Sequence, residues 1–500
     1  MFKKTIEFNN QKIDITIFDS AFSEDENGIF FGHPLGNLST DNYNDIKGSW
    51  FKIQIKPDEV IVVTDIIGAY RMYYLWIKNH LLISDDYRFL LAKISSIEIN
   101  EMELAYWKTH DCTTGGKTLF KGINKFKPAT ETKIKLNDFS ENLYFKNAIL
   151  TQNNQKHTEK VYQDLDDTFS RIKQLNKKVI LMFSGGKDSC LLALFLKKHE
   201  IDFTPVFLKL EPTFNQAFLD FQKVNQVSKA LKMKTEIISV KFDSFSQDEL
   251  NDINEIQLLD KHFTPVHFKG IVEIKKRYGK EVLVLNGSTS DSIFTFGPSE
   301  NSFISYLRRY MMFKPNALIS KFAVKLLNLK TKKRFKLGET EDELLLALMD
   351  EYKYCRVLDM DKTDEYYDYL YEEFLFSKST LNTFNSLEMY AKNFTFLQGS
   401  TQQIVHNSCR YQDLKYVMPF ATPGIIYATM QFRDRNLEIK QPKYCVERIL
   451  KDKFSFNYNK IKLNYDKQTF SYNLDDFRNN INEAFDINLQ QTISKSNKQK

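Results

Sequence analysis

The stretch "LMFSGGKDSCLLALFL", residues 181–196, joins two apolar runs through a short polar gap. The run before Ser184 has the composition of a buried strand, and the run after Ser189 has that of a helix. Gly185 and Gly186 in the gap lack the Cβ atoms that would keep the backbone from closing around a ligand. The helix that follows begins with unpaired N–H groups, which attract anions. This stretch therefore predicts an anion site, with phosphate as the expected anion.

The composition indicates a globular protein of several domains. The chain has 500 residues, of which 42% are hydrophobic and 14% aromatic, so it can bury sizeable cores. Its 70 basic and 64 acidic residues leave a net charge of +6, too small an excess to indicate a nucleic-acid partner. Its five cysteines include no CxxC pair, which disfavours structural zinc, an iron–sulfur cluster or a disulfide framework.

No segment has the pattern of a membrane or secretion signal. The N-terminus "MFKKTIEFNN" has no long apolar run, and no apolar run elsewhere approaches membrane-spanning length. We therefore expect no transmembrane segment and a cytoplasmic location. The oligomeric state cannot be inferred from the sequence.

The first 150 residues have the pattern of a β-rich domain. Short alternating segments such as "KKTIEFNNQKIDITIF" (3–18) are broken by Asn, Asp and Gly turn residues. The polar stretch at 151–160 has the composition of a linker, so the domain boundary is predicted near residue 152.

Residues 151–490 have the pattern of a parallel α/β domain. Four apolar strand candidates alternate with helical segments, which predicts a parallel sheet covered on both faces. These candidates are residues 178–183, 203–210, 234–240 and 281–286. Beyond about residue 300 the pattern turns mainly helical, most plainly at 341–354 and 363–376. Residues 491–500 are expected to be a disordered polar tail.

The polar gap resembles a known nucleotide loop. Its spacing is neither the GxxxxGK[ST] of a Walker loop nor the dinucleotide GxGxxG. "SGGKDS" resembles the loop of the ATP pyrophosphatases (PP-loop enzymes), which cleave ATP between the α- and β-phosphates to adenylate a substrate. The resemblance implies ATP binding by Ser184, Gly185, Gly186, Lys187, Asp188 and Ser189.

A second turn, within "VLVLNGSTSDSIF" (282–294), repeats the order of apolar strand, small polar turn and acid. Turns at the carboxyl ends of parallel strands meet at one sheet edge. There Asp188 and Asp291 are predicted to hold Mg²⁺ against the pyrophosphate, since this cation takes carboxylate and phosphate oxygens. Either aspartate alone would more often be a helix cap. Asn286 and Gly287 are predicted to line the nucleotide.

Four segments extend the resemblance to the asparagine synthetase family. "LNGSTSDSIF" (285–294) resembles that family's "sGxGxDExF", and "VMPFATPGIIYA" (417–428) resembles "R-x-PFLD". In the first half, "TDIIGAYRMYY" (64–74) and "TLFKGINKFKPA" (118–129) resemble "DxxGxxPLYY" and "TLFxGIxxLxPG". The resemblance implies an α/β fold: an N-terminal glutaminase-like (Ntn) α/β sandwich over 1–150, then a parallel-sheet PP-loop synthetase domain over 151–490 with a helical C-terminal part.

The first half departs from the glutamine-hydrolysing members, which use an N-terminal cysteine as nucleophile. Here Met1 precedes Phe2 and the first cysteine is Cys112, so we expect this half to be inert. The nitrogen would then come from ammonia or from an amine. This pattern resembles the β-lactam synthetases, carbapenam synthetases and lasso-peptide cyclases, which keep the N-terminal domain as a scaffold.

The second half departs from the family at its expected base. The family carries an acid or tyrosine near the position of Ser288 and a glutamate at that of Ser292, and a serine alone is no base at neutral pH. Glu300, Glu388 and His406 remain as candidates, although each is more often a surface or capping residue.

The family also has a lysine after its last helix that stabilises developing negative charge. Lys462 and Lys460 follow the last predicted helix and are the predicted catalytic residues, with Lys462 slightly favoured. Lys440 and Lys443, upstream of that helix, have the pattern of helix-flanking charges.

A basic stretch at 314–336 carries apolar residues at helical spacing. Leu318, Phe322, Leu326 and Leu327 would form a stripe surrounded by lysines. That pattern suits a membrane surface, an acidic partner or an anionic substrate, but also a solvated helix packed on its own domain.

The leading interpretation is an ATP- and Mg²⁺-dependent, AMP-forming ligase. It would adenylate a small-molecule or peptide carboxylate and transfer the acyl group to ammonia or an amine donor, without using glutamine. One alternative is a tRNA-modifying PP-loop enzyme, which would require a persulfide cysteine or a CxxC pair. Another is a catalytically degenerate scaffold subunit, against which the intact loop and both aspartates weigh.

Overall fold

The fold is described from a computed structural model. The described residues are 1–8, 11–19, 21–25, 28–36, 38, 42–110, 112–135, 138–146, 154–211, 213, 215–241, 246, 248–249, 265–287, 289–294, 306–307, 310–311, 314, 316–350, 357–381, 383–394, 401–431, 441, 443–461 and 463. The predicted tail at 491–500 therefore lies outside the described residues, as do Ser288, Glu300, Lys440 and Lys462.

Residues 2–143 contain two β-sheets. Their strands are β1 (Phe2–Phe8), β2 (Gln11–Ile17), β3 (Ala21–Asp25), β4 (Gly28–Leu35), β5 (Lys47–Ile55), β6 (Val60–Thr64), β7 (Tyr73–Ile77), β8 (His80–Ser84), β9 (Ile123–Lys125), β10 (Thr130–Lys135) and β11 (Asp138–Leu143). One sheet has the order β1-β2-β8-β7-β9, with β2 and β8 parallel. The other has the order β11-β10-β6-β5-β4-β3 and is antiparallel.

The alternation of apolar residues explains how these sheets pack. Ile13, Ile15 and Ile17 occupy every second position of β2, so their side chains point to one face. They belong to the same buried cluster as Phe51 and Ile53 of β5 in the other sheet. The two sheets thus share an apolar core.

Two short helices, α1 (Tyr87–Leu91) and α2 (Glu101–His110), add a layer to this half. Leu90 of α1 and Trp107 of α2 share a buried cluster with Leu75 and Leu82 of the first sheet. The half is therefore a sandwich of sheets and helices, as predicted in outline. Its identity as a glutaminase-like Ntn fold stays a prediction.

A buried carboxylate organises the segment "TDIIGAYRMYY". Asp65 accepts hydrogen bonds from four backbone N–H groups, those of Trp50 at 3.2 Å, Ile67 at 3.1 Å, Ala69 at 3.0 Å and Tyr70 at 3.0 Å. Burial raises the pKa of Asp65 to about 6, although the four donors oppose the rise. The aspartate of this motif thus ties the β6–β7 connection to β5.

The second half is built on a parallel sheet. Its strands are β12 (Val179–Met182), β13 (Phe203–Glu211), β14 (Glu236–Lys241), β15 (Leu283–Leu285) and β18 (Lys415–Val417), while β16 (Phe335–Leu337) and β17 (Val357–Asp359) form a separate antiparallel pair. Its helices are α3 (Asn154–Gln174), α4 (Lys187–Lys198), α5 (Asn215–Ala230), α6 (Pro265–Tyr278), α7 (Ser290–Phe294), α8 (Leu318–Thr331), α9 (Glu341–Asp350), α10 (Asp364–Thr380), α11 (Phe384–Phe394), α12 (Thr401–Tyr411), α13 (Pro423–Met430) and α14 (Tyr444–Phe454).

The strand order β14-β13-β12-β15-β18, parallel throughout, determines where a ligand can bind. The chain adds β13 and β14 on one side of β12 and then crosses to add β15 and β18 on the other. A crevice therefore opens between the carboxyl ends of β12 and β15, at the topological switch point. The turn after each of these strands is one of the two turns singled out in the sequence.

The four predicted strands of this sheet and the helical pattern of the C-terminal part are confirmed. The fifth strand, β18, was not predicted, because Lys415 interrupts its apolar run, whereas the equally short β15 lies in an unbroken one. The predicted linker is wrong for residues 154–160, which form the first turns of α3. Polar composition alone cannot distinguish a linker from the exposed side of a helix.

Buried polar contacts join the two halves. Lys47 of β5 contacts Asp164 Oδ1 at 2.9 Å and donates to Thr168 Oγ1 at 2.9 Å, both on α3. Arg410 of α12 pairs with Asp85, which follows β8. In the part of the chain that is described, no helix is both long and apolar enough to cross a membrane.

His406 is part of this interface and not of a catalytic site. Its Nε2 lies 2.7 Å from Ser49 Oγ on β5, and the residue is 4% exposed. Burial lowers the pKa of His406 to about 3, and the charges of His33 and Arg410 act in the same direction. Its candidacy as the base is therefore not supported: at neutral pH it is a buried, neutral imidazole that hydrogen-bonds across the interface.

The Asp65→Asn substitution tests the motif aspartate. The amide replaces one acceptor oxygen by a donor that faces backbone N–H groups, so the free energy of unfolding should fall by about 2 kcal/mol. Urea unfolding at neutral pH measures this fall. Asp58→Asn, at an exposed turn position, is the matched control and should change little. Equal losses in the two variants would contradict this role for Asp65.

The buried imidazole also predicts a pH dependence. Between pH 6.5 and pH 3 the unfolded state binds a proton at His406 that the folded state does not, so stability falls as the pH falls. From pH 7 to pH 5 this contribution is about 2 kcal/mol, which His406→Gln should remove. Urea unfolding at both pH values measures the difference. Ser49→Ala keeps the imidazole, so it should keep the pH dependence; a His406→Gln profile identical to wild type would refute the assignment.

Candidate active site

The candidate site begins where β12 and β15 end. The two strands pair in parallel register, with Leu181 opposite Leu285, so the turns that follow them are neighbours. Asp188 follows the first turn and Asp291 follows the second. The structure therefore brings together the two turns that the sequence analysis placed at one sheet edge.

The first turn has a shape that requires glycine. Gly185 has φ +67°, and a Cβ there would lie 3.1 Å from Cα of Val224 on α5. Gly186 is the N-cap of α4 and supplies no side-chain cap, so the first N–H groups of this helix are left for another acceptor. The Gly186 N–H donates a hydrogen bond to Ser184 Oγ at 3.3 Å, and Ser189 Oγ donates to Gly186 O at 3.1 Å. The turn is thus preformed around a helix N-terminus.

A lysine joins the two turns. Lys443, the N-cap residue of α14, has φ 60°, and its Nζ lies 2.7 Å from Asp291 Oδ1 while also contacting Asp188 Oδ2. Lys443 and Asp188 are each 8% exposed, whereas the Asp291 side chain is 53% exposed. Burial alone would lower the pKa of Lys443, but the two carboxylates outweigh it and the pKa is raised. Lys443 therefore carries its positive charge at neutral pH.

This finding corrects the sequence-based interpretation of the lysines. Lys443 was predicted to be a helix-flanking charge, but it is buried between the two aspartates. Lys460 is exposed in a 3-10 helix, Tyr458–Lys460, and Lys462 lies outside the described residues, so their catalytic role stays a prediction. A signal for Lys443 was present: a lysine at a helix N-terminus opposes the helix macrodipole, so it needs a partner elsewhere.

Lys187 in the loop is held by α14. Its ammonium group pairs with Glu447 of that helix. Tyr458, further along, donates to Gly185 O at 2.8 Å, and its ring lies 5.8 Å from Lys187 Nζ. The segment from α14 to Tyr458 thus holds the glycine turn in place.

The second turn contributes unpaired hydroxyl groups. The Oγ atoms of Thr289, Ser290 and Ser292 are buried and have no hydrogen-bond partner among the described residues. Asn286 accepts a hydrogen bond from Tyr416 OH at 2.7 Å. At Gly287 a Cβ would lie 3.0 Å from Asp188 Cβ, so only glycine lets the two turns approach this closely.

A cavity of 270 Å³ lies beside these turns. Its polar lining includes Ser184, Ser189, Asn286 and both aspartates, and Phe183, Val206 and Leu208 provide apolar walls. His267 of α6 also lines it, and burial lowers the pKa of His267 to about 4, so the imidazole is neutral. His267 was missed, because a single histidine in a helical segment gives no signal in the sequence. A polar end and an apolar end suit a nucleotide that binds with a cation.

Two of the three residues considered as the base, Glu388 and His406, are described, and neither lines this cavity. His406 lies at the interface between the halves, and Glu388 is 2% exposed within α11. The base is thus not identified among them.

The donor set fits Mg²⁺. Asp188 Oδ1 is buried and has no hydrogen-bond partner among the described residues, so it is available as a ligand. Mg²⁺ in nucleotide sites takes one or two carboxylates, with water and phosphate oxygens completing the shell. Asp188 and Asp291 provide that number of carboxylates. The described residues contain no group of three or more His, Cys, Asp or Glu side chains that would form a complete protein cage for a metal.

Comparisons with known proteins give only distant likenesses. No family model matches the chain, and no curated protein matches it. Among solved structures, the NH3-dependent NAD synthetase from Campylobacter jejuni is 15% identical with a TM-score of 0.21, over 45% of this chain and 95% of that one. The NMN synthetase from Francisella tularensis is 14% identical with a TM-score of 0.20, over 53% and 97%.

The U34-tRNA thiolase NcsA from Methanococcus maripaludis is 16% identical with a TM-score of 0.22, over 51% of this chain and 88% of that one. TM-scores this low support no conclusion about fold or activity. The assignment as α/β instead follows from the five-stranded parallel sheet and the two additional sheets of the first half. Membership in the asparagine synthetase family stays a resemblance of motifs.

The Lys443→Met substitution tests the charge cluster. Removing the ammonium leaves a buried carboxylate at Asp188 beside Asp291, so the free energy of unfolding should fall by about 3 kcal/mol. Millimolar MgCl2 should restore part of this loss, because a cation can replace the ammonium, and it should stabilise the wild type less. Urea unfolding with and without MgCl2 measures both effects. Lys460→Met should be nearly neutral, and losses of similar size in both variants would contradict the cluster.

Proposed function

We propose that this protein is an ATP-dependent, AMP-forming ligase that adenylates a carboxylate and transfers the acyl group to ammonia or an amine. The observation that carries the proposal is the convergence at one sheet edge of the "SGGKDS" turn, the second turn and the buried Lys443. A helix N-terminus, a cation and two carboxylates are what a triphosphate with its metal needs.

The residues can be given roles in the first half-reaction. The N–H groups at the start of α4 would bind the phosphates that leave as pyrophosphate. Asp188 and Asp291 would hold Mg²⁺, which when bound supplies positive charge to the pyrophosphate. A substrate carboxylate oxygen attacks the α-phosphorus while the bond from this phosphorus to the bridging oxygen breaks.

Lys443 is the residue placed to stabilise the charge that develops in this step. Its ammonium group is buried and contacts two carboxylates, and Lys443 is the N-cap residue of α14. The ammonium group would therefore move little as the charge develops. In the second half-reaction a nitrogen nucleophile attacks the acyl carbon, AMP leaves, and the nitrogen loses a proton. The expected substrate is a small-molecule or peptide carboxylate with an amine donor, and the expected location is cytoplasmic.

The proposal does not include glutamine hydrolysis. The first cysteine in the sequence, Cys112, is 1% exposed and therefore cannot meet glutamine in this conformation. The tRNA-modifying alternative needs an accessible sulfur, and all four described cysteines, Cys112, Cys190, Cys409 and Cys445, are buried. Burial raises the pKa of the Cys190 and Cys409 thiols, which disfavours the thiolate needed for that chemistry. The scaffold alternative predicts no ATP turnover at all.

ATP–pyrophosphate exchange tests the proposal. Purified protein with Mg²⁺ and pools of carboxylic acids should incorporate labelled pyrophosphate into ATP with the pool that contains its substrate. Asp188→Asn should lower this exchange at least about 100-fold, because one carboxylate ligand is lost where charge develops. Asp202→Asn is the matched control: Asp202 is exposed and precedes β13, at the opposite edge of the sheet.

A thermal-shift assay with Mg²⁺ and a non-hydrolysable ATP analogue separates the alternatives. Stabilisation that disappears in Asp188→Asn but not in Asp202→Asn supports nucleotide binding at this edge, and acid-dependent exchange supports the ligase. Nucleotide binding could also be accompanied by exchange that requires added tRNA and is independent of every carboxylic acid. That result would overturn the ligase proposal in favour of tRNA modification. If the protein shows neither nucleotide binding nor exchange, the result supports the scaffold role.

A further inference from the structure

Helix α8 exposes a continuous apolar stripe. Leu318 is 85% exposed, Phe322 62%, Leu329 78%, Ile319 49% and Leu326 42%. At 100° per residue these five positions fall within about 100° of the helix circumference, so they form one face. Single exposed leucines are ordinary on protein surfaces, but a row of five large side chains on one helix face indicates an interaction surface.

The opposite face of α8 explains why the stripe points outward. Ala323 and Val324 are buried in a cluster with Met311 and Val357. Asn328 exchanges two hydrogen bonds with the backbone of Phe335, at 3.0 and 2.7 Å. Because α8 is held to the β16–β17 pair by this face, rotation to bury the stripe would break those contacts. The exposure is therefore a feature of the packed fold.

Lysines line both sides of the stripe. Lys321 and Lys325 lie along one border and Lys330 along the other, Lys332 follows the last residue of the helix, and all four are exposed. None of these four is in an ion pair with a carboxylate of the described residues, whereas Lys333 and Arg334 nearby pair with Asp359 and Asp361. The sequence from 301 to 338 contains ten basic residues and no acidic one. The surface thus combines apolar side chains with uncompensated positive charge.

We propose that α8 docks on an anionic lipid bilayer, with its axis in the plane of the membrane. The stripe would enter the boundary between headgroups and acyl chains, while the lysine stems follow the apolar surface and their ammonium groups meet lipid phosphates. The helix is about 21 Å long, too short to cross the hydrocarbon core and long enough to lie along its surface.

The charges favour this occupant over others. A second copy of the chain seated on the stripe would place two sets of lysines against each other with no acidic residue between 301 and 338 to compensate. A nucleic acid would meet the lysines but not bury five large apolar side chains. A bilayer surface with anionic lipids satisfies both parts of the surface at once. This proposal does not depend on the proposed ligase activity.

Vesicle sedimentation of the full chain tests the proposal. Vesicles of phosphatidylcholine with about one-third phosphatidylglycerol should pellet the protein, while phosphatidylcholine alone should bind it at least about tenfold more weakly, because each lysine contributes to the affinity only on an anionic surface. Raising the salt concentration should weaken binding. No difference between the two lipid compositions would overturn the proposal.

Two variants separate the apolar and charged contributions. The double variant Phe322→Ser and Leu329→Ser should lower the partition coefficient on anionic vesicles at least about tenfold through lost apolar burial. The triple variant Lys321→Gln, Lys325→Gln and Lys330→Gln should lower it at least as much. Since all five side chains are exposed, the thermal unfolding midpoint should not change in either variant.

Matched controls use exposed residues elsewhere in the chain. Leu375→Ser replaces a 43% exposed leucine of α10, and Lys229→Gln with Lys232→Gln and Lys234→Gln replaces three exposed lysines near the end of α5. Both should bind vesicles like the wild type. Equal losses in the controls would overturn the assignment to α8. So would a dimer, detected by light scattering, that the Phe322→Ser and Leu329→Ser variant dissociates, because the stripe would then be a contact between copies.

Discussion

The parallel pairing of β12 with β15 is the constraint on which the candidate site depends. Since the chain adds strands on both sides of β12, the turns that follow β12 and β15 must meet at one edge. Gly287 allows their backbones to approach closely, and Lys443 supplies the charge that lets Asp188 and Asp291 lie together. Without that ammonium, the buried carboxylate of Asp188 would face the carboxylate of Asp291 with no positive charge between them.

The two halves of the chain depend on each other through the same kind of interaction. Lys47 of the first half contacts α3, and α3 also packs against α4, the helix that follows the glycine turn at residues 184–186. Ser49 and His406 make a neutral hydrogen bond across the interface, and Arg410 pairs with Asp85. Buried polar contacts of this kind fix the orientation of the halves more than they add stability. A first half that is inert in catalysis would still have a structural reason to be retained.

Much of the fold could be predicted from the sequence, because the relevant signals are local. Four strands of the parallel sheet are apolar runs bounded by turn residues, and the glycine turn precedes an apolar helix. The short β18 and the start of α3 gave no such signal, since Lys415 interrupts the apolar run of β18 and the exposed side of a helix resembles a linker. Asp188 and Asp291 were identified because the order of apolar strand, small polar turn and acid occurs twice in the sequence. Lys443 was not, because its partners are about 150 and 255 residues away in sequence.

The charges at the site indicate how a nucleotide would have to bind. Lys443 is shared by two carboxylates and Lys187 is paired with Glu447, so the side chains described around the glycine turn carry no excess of positive charge. A triphosphate brought there alone would be repelled by the carboxylates, and the helix N-terminus offers only about half a unit charge against it. A divalent cation held by Asp188 and Asp291 would offset that negative charge. The charges of the described side chains therefore favour a nucleotide that binds together with its metal.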